Sequence, residues 1–171
     1  MSFLVRQLAR VTDAQIVELA RLLIDCVESG ASVSFMSPLS MEKASTFWYR
    51  VAAATARGER ALLVAEDSAG IIGTVQLVLD LPENQPHRAD VSKMLVHRRA
   101  RRQGVGAAML RSGEVLAREL GKSILVLDTA SAEAERLYTR LGWIRVGVVP
   151  DYALLPRGGL CATTFFYRRL T

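Results

Sequence analysis

Apolar positions early in the chain recur at helical intervals. Ile16, Leu19, Ala20, Leu23, Ile24 and Val27 follow Thr12, which stands three residues before Gln15 in capping-box order, and Gly30 stops the run. Phe3 to Leu8, just before it, reads as a short strand. Ser40 can cap a second helix over Met41 to Arg57, closed by Gly58. The connector between them, Ala31 to Leu39, carries Phe35 and Met36 and is more apolar than a bare loop needs. Those two side chains either tuck into the core or wall a pocket.

The pattern then changes period. Ala61 to Asp67 and Ile71 to Asp80 are β-rich runs joined by Ser68-Ala69-Gly70, an antiparallel hairpin signal. Leu81 to Arg88 holds two prolines and reads as a loop. Ala89 to Val96 is a third strand in this meander. A helix running to Leu120 follows, closed by Gly121. Ser123 to Leu127 is wholly apolar after its serine, as in strands buried on both faces. Ser131 to Leu141 reads as a short helix ending at Gly142. Trp143 to Val149 and Cys161 to Tyr167 are the last strands, with a loop from Val149 to Pro156. The expected fold is a mixed α/β domain over residues 1–171, about seven mostly antiparallel strands flanked by about four helices.

Composition narrows the class. A chain of 171 residues, half apolar and a quarter charged, suits one soluble domain with one core. No apolar run approaches the ~18 residues of a membrane span, and MSFLVRQLAR lacks an uninterrupted signal-peptide segment, so a cytoplasmic protein without a membrane partner is expected. Cys26 and Cys161 have no CxxC spacing, which suggests neither a disulfide framework nor a metal, and both are expected to be buried small hydrophobes. The net charge of +5 falls to +1 once Arg98, Arg99, Arg101 and Arg102 are subtracted. A duplex-binding face spreads its basic residues more widely, so nucleic acid is not expected. The excess points to a compact anion held locally.

That anion has an obvious seat. Between the strand ending at Val96 and the helix beyond lie the arginines and then Gly104 and Gly106. Glycines let backbone approach a ligand, and the first N–H groups of a helix, with its dipole, favour phosphate. The phosphate-loop pattern GxxxxGK[ST] is absent. A dinucleotide fingerprint needs a third glycine where Met109 stands, although Asp128 lies at about the distance of a ribose-binding acid. A meander, not a strand–helix–strand unit, precedes the loop, which argues against a nicotinamide cofactor.

The pattern that remains, Arg101-x-x-Gly104-x-Gly106, resembles the pyrophosphate loop of the GNAT superfamily of N-acetyltransferases. Ala134-x-x-x-Tyr138-x-x-Leu141-Gly142-Trp143 is similar to a second family segment, with Trp for the usual Phe and Ser131 where Asn often stands. GASVSFM (Gly30 to Met36), the Leu127-Asp128-Thr129 strand end and VGVVPDYALLPRGGL (Val146 to Leu160) resemble the tabtoxin-resistance acetyltransferases, which act on a small β-lactam amino-acid toxin.

The resemblance implies acetyl-CoA as co-substrate, no metal, and a small-molecule amine as acceptor. It implies that Arg101, Arg102, Gln103, Gly104, Val105, Gly106 and Ala107 wrap the pyrophosphate. The backbone of Met94, Leu95 and Val96 would pair with the pantetheine arm. The narrower family implies an acceptor site formed by Ser32, Ser34, Phe35, Met36, Asp151 and Tyr152.

For the chemistry, an alkylammonium with pKa near ~10.4 must lose a proton before it attacks. Asp128, at the end of its strand, is the first candidate base, its structural alternative being a cap for the helix near Ser131. Glu66 and Asp90 are weaker candidates. Tyr138, a phenol protonated at neutral pH, is the candidate acid for the departing thiolate, or else a packed aromatic. His87 and His97 read as surface residues, with His97 near enough to the arginines to approach a phosphate. The four arginines favour recruitment to anions. The resulting expectation is an N-acetyltransferase, monomeric or homodimeric, with a non-catalytic coenzyme A binder and a nucleic-acid binder as the rivals.

Overall fold

Local signals place the helices. In the computed structural model, which describes residues 2–170, Thr12 N donates to Gln15 Oε1 at 2.9 Å and Gln15 N to Thr12 Oγ1 at 3.3 Å, the reciprocal capping box expected there. It opens helix α1 (Asp13–Glu28). Ser40 Oγ accepts from Lys43 N and opens α2 (Met41–Ala56). The chain begins with β1 (Leu4–Leu8) and continues after α2 with β2 (Arg60–Asp67), β3 (Gly70–Val78) and β4 (Arg88–Val96). A 3-10 turn (Arg98–Ala100) leads to α3 (Val105–Glu119), and β5 (Ile124–Thr129), α4 (Ala132–Arg140), β6 (Ile144–Leu154) and β7 (Leu160–Arg169) complete it.

All seven strands form one sheet in the order β1-β2-β3-β4-β5-β7-β6. Neighbours are antiparallel except β4 and β5, which run parallel. Alternation along β2 divides the core. Leu62 and Val64 pack with Leu19, Leu23 and Trp48 of α1 and α2, while Leu63 and Ala65 pack with Val105 and Met109 of α3. Leu110 and Ala117 of α3 share a third cluster with Tyr138 of α4, Trp143 and Phe166. Helices α1 and α2 thus cover one face of the sheet, and α3 and α4 the other. The bulky Met109 fits because Gly73 of β3 faces it: a Cβ there would stand 2.8 Å from Met109 Cε.

Two strand expectations are corrected. The doubly buried strands are β2 and β3, not β5. In β5 only Leu125 and Leu127 are buried, because α1 and α2 pack mainly on β2, β3 and β4. The segment from Val149 to Pro156 is not a loop: β6 continues to Leu154. Proline is tolerated there because β6 is an edge strand, and the register shift between Val149 and Ala153 absorbs Pro150 and Asp151.

Candidate active site

Among the described residues the sheet opens where the parallel pairing of β4 with β5 ends. β4 pairs with β5 over three residues, Arg88 to Asp90 against Ile124 to Val126, and has no partner on that side from Val91 onward. Opposite, β4 carries a bulge: Gln76 of β3 pairs with Ser92 and Thr74 with Leu95, so β4 spends one extra residue, and Lys93 takes φ 50°. The two strands part around a cleft of about 1120 Å³. Its walls come from both faces of the sheet. Residues 31–36 and Tyr152 lie on one side, the start of α3 and Leu137 and Tyr138 of α4 on the other, with Val91 to Val96 along its floor.

The α3 end of this cleft is built for an anion. Gly104 occupies the N-cap in the left-handed conformation, φ 83°, and offers no side-chain cap. No acidic residue stands in the first turn. The N–H groups of Val105, Gly106 and Ala107 therefore lack helical partners, and Ala108 N is the first to bond back, to Gly104 O at 3.0 Å. Arg101 and Arg102 line the same end. This arrangement fits a pyrophosphate, and the β4 edge from Val91 to Leu95, which has no strand partner, fits an extended chain with amide groups, whereas Val96 O accepts from Arg101 Nε at 3.2 Å.

Recruitment of all four arginines to the anion is corrected. Arg98 is held by Asp25, whose carboxylate accepts from both its side chain and its backbone N–H, and Arg99 is held by Asp67. The Arg99 guanidinium keeps the Asp67 carboxyl below its usual range. Gln103 does not line the cleft, since its amide folds back to donate to Arg99 O at 2.9 Å. His97 also lies outside: its Nδ1 accepts from Arg99 N, and its Nε2 stands 3.8 Å from Asp25.

Asp128 and Tyr138 both line the cleft. Asp128 does not cap α4, because Ser131 does so by accepting from Ala134 N. Its Oδ2 accepts instead from Thr163 Oγ1 at 2.6 Å, from a buried threonine on β7. Tyr138 is 4% exposed and packs against Trp143 and Phe166, with ring centroids 5.8 and 5.6 Å away. Burial pushes its phenol well above the ordinary value, with the Asp128 charge adding to the shift. The weaker carboxylates are elsewhere: Glu66 pairs with Arg6 at 2.6 Å and Asp90 with Arg88 at 2.5 Å, and neither lines the cleft.

Opposite the phosphate end, Ser32, Ser34, Phe35, Met36 and Tyr152 line the cleft, and Asp151 does not. Asp151 sits in the β6 bulge with φ 52°. Phe35 also packs edge-on against Phe47, with centroids 5.2 Å apart, so it serves core and wall together. Cys26 and Cys161 border the cleft. Burial raises the Cys26 thiol to about 11, against the lowering effect of Arg101. Sequence reasoning missed Lys93 and Thr163. Lys93 had a readable signal, a lone charge within the apolar end of a strand. Thr163 had none, being one of several threonines in a β run. Among the described residues, no group of three His, Cys, Asp or Glu side chains is placed to hold a metal ion, and no helix is long and apolar enough to cross a membrane.

Comparison with known proteins defines the class. A family model for the acetyltransferase (GNAT) domain matches residues 58–145, just over half of the 171 residues. The chain therefore belongs to the GNAT acetyltransferase family, and its activity class is that of an acyl-CoA N-acyltransferase. The fold is shared across wide sequence divergence. A ribosomal-protein-alanine N-acetyltransferase of Brucella melitensis aligns at 21% identity with a TM-score of 0.80, covering 97% of this chain and 99% of its own. A phosphinothricin acetyltransferase of Sinorhizobium meliloti, solved with acetyl-CoA, aligns at 20% and 0.81, covering 99% and 89%. The yncA protein of Salmonella typhimurium, solved with its cofactor acetyl-CoA, aligns at 19% and 0.81, covering 100% and 95%. The matched residues 58–145 include the glycine loop, Asp128 and Tyr138. Residues 31–36 and 151–152 fall outside them.

Proposed function

We propose that the protein transfers the acetyl group of acetyl-CoA directly to the amine of a small molecule, with an amino-acid-like toxin or metabolite as the acceptor class. The observation that carries this reading is one cleft with an uncapped helix N-terminus at one end and both Asp128 and Tyr138 on its walls. Acetyl-CoA, seated by Arg101, Arg102 and the N–H groups of residues 105–107, supplies the thioester whose C–S bond breaks as the new C–N bond forms. Asp128 accepts a proton from the acceptor ammonium, and the hydrogen bond from Thr163 orients the carboxylate. Tyr138 gives its phenolic proton to the departing sulfur. Of the two protons the ammonium loses, one restores Tyr138 and one leaves to solvent. Burial keeps the phenol protonated until the sulfur needs it.

The amino-acid-like acceptor is supported by the resemblance of Gly30 to Met36 and Val146 to Leu160 to the toxin-resistance enzymes. Phosphinothricin acetyltransferases among the structures of this fold agree with it. The test is thiol release from acetyl-CoA over amino acids, polyamines, aminoglycosides and β-lactam amino-acid toxins, with product mass confirmed. Tyr138→Phe and Asp128→Asn are each expected to lower kcat by about 100-fold or more. Coenzyme A binding without thiol release for any amine would reduce the protein to a binding module. Unchanged turnover of Tyr138→Phe across pH would remove the acid.

A further inference from the structure

The Lys93 ammonium is poorly provided for. The bulge in β4 turns this residue onto the α1 and α2 face, where Nζ donates one hydrogen bond, to the neutral Ser34 Oγ at 3.0 Å, and stands 5.8 Å from the centre of the Phe47 ring. An ammonium has three donors. Among the described residues no carboxylate lies within 4.0 Å of it, and the Ser34 hydroxyl is its one hydrogen-bond partner. Its charged neighbours are Arg60, which repels it, and Asp128, which attracts it without forming an ion pair. Burial lowers its pKa accordingly. A half-buried cation held by a hydroxyl and an aromatic ring, on a cleft wall, is short of one anion.

Alternation places Asp128 on the same face, with Ile124 and Val126 and opposite Leu125 and Leu127. This side of the cleft therefore shows a cation on β4 and a carboxylate at the end of β5, separated by the opening between the strands. We propose that Lys93 determines acceptor specificity by holding a carboxylate of the acceptor while its amine faces Asp128. The acceptors are then zwitterionic amino acids, and polyamines and aminoglycosides are repelled by Lys93 and Arg60. This rests on the acetyl-transfer reading above.

The experiment compares each amino acid with its own carboxamide, in thiol release and in calorimetric titration with coenzyme A present, for the wild type, Lys93→Met and Lys93→Gln. The wild type is expected to prefer acid over amide in kcat/KM by about 10- to 100-fold, the range for a hydrogen bond to a charged group. Both variants should fold, shown by an unshifted or raised melting temperature, and lose that preference with KM for acetyl-CoA unchanged. Preference for the acid in both variants, better turnover of polyamines, or a raised KM for acetyl-CoA in place of the acceptor would overturn the assignment. If no amine releases thiol, acetyl transfer fails, and calorimetry still decides: acids binding the wild type but not the variants support Lys93, and equal binding of acids and amides refutes it.

Discussion

Gly104 and Gly106, at the start of α3, have different physical reasons to be glycine, and substitution separates them. At Gly104 an added Cβ would meet nothing within 4 Å, so space is not the constraint. The backbone is: φ is 83°, and a residue with a Cβ pays about 1–2 kcal/mol to stay left-handed. At Gly106 the backbone is ordinary helix, and the Cβ would stand 3.2 Å from Leu137 Cδ2 and 3.5 Å from Met94 Cε. Those are ends of flexible side chains, which can yield by a few tenths of an ångström, and alanine regains about 1 kcal/mol of helix propensity. The terms nearly cancel. A domain of this size loses about 2–4 °C of melting temperature per kcal/mol. Gly104→Ala should therefore melt about 2–8 °C lower and Gly106→Ala close to the wild type.

Gly106→Val adds methyl groups against Leu137 and Met94. Overpacking of this kind costs about 1–3 kcal/mol, and it presses on α4, which carries Tyr138. Its kcat should fall more than its affinity for acetyl-CoA. The assays are thermal melts and calorimetric titration with acetyl-CoA. A Gly104→Ala protein that melts with the wild type, or a Gly106→Ala protein that falls as far as Gly104→Ala, would show that the turn is not held as described.

Arg101→Ala and Arg102→Ala should each weaken acetyl-CoA binding by about 10-fold, whereas Arg98→Ala and Arg99→Ala, already paired with Asp25 and Asp67, should leave it nearly unchanged; equal losses at all four would refute the division. Because Arg99 lowers the Asp67 carboxyl, the stabilisation from that pair is present above the ordinary aspartate value of about 3.9 and disappears as pH falls through the depressed one, so Arg99→Ala should flatten the acid side of the melting profile. Glu114 is 8% exposed, accepts from Trp143 Nε1 at 3.1 Å and stands 3.7 Å from Arg168. Glu114→Ala strands the Trp143 indole N–H, while Arg168 keeps its bond to Gly142 O, and should cost about 1–3 kcal/mol, with Glu114→Gln milder; identical denaturant midpoints for the two would count against the Glu114–Trp143 bond.

What could be read from the chain was what is decided within a few residues. Thr12 with Gln15, Ser40 with Lys43, and Gly104 at the mouth of α3 act through bonds or dihedral preferences that span a single turn. What escaped depends on distant partners. Arg98 and Arg99 looked equivalent to Arg101 and Arg102 until Asp25, 73 residues away, and Asp67, 32 away, took them. The wholly apolar look of β5 suggested burial on both faces, but burial depends on which helices reach it. Lys93 reaches the cleft only through a register shift between β3 and β4. Asp151, which lies outside it, stands at a shift between β6 and β7.

The sheet order carries a temporal consequence. β7, last of the seven strands, lies between β5 and β6, and those two have no pairing with each other. During synthesis β1 to β4 can pair as each emerges, while β5 has only its three-residue contact with β4 and β6 has no strand partner. Thr163, which fixes Asp128, belongs to that same late strand. The nascent protein can therefore form the turn at Gly104 well before Asp128 gains its hydrogen bond from Thr163, and the proposed base is oriented only when the final strand slides into place.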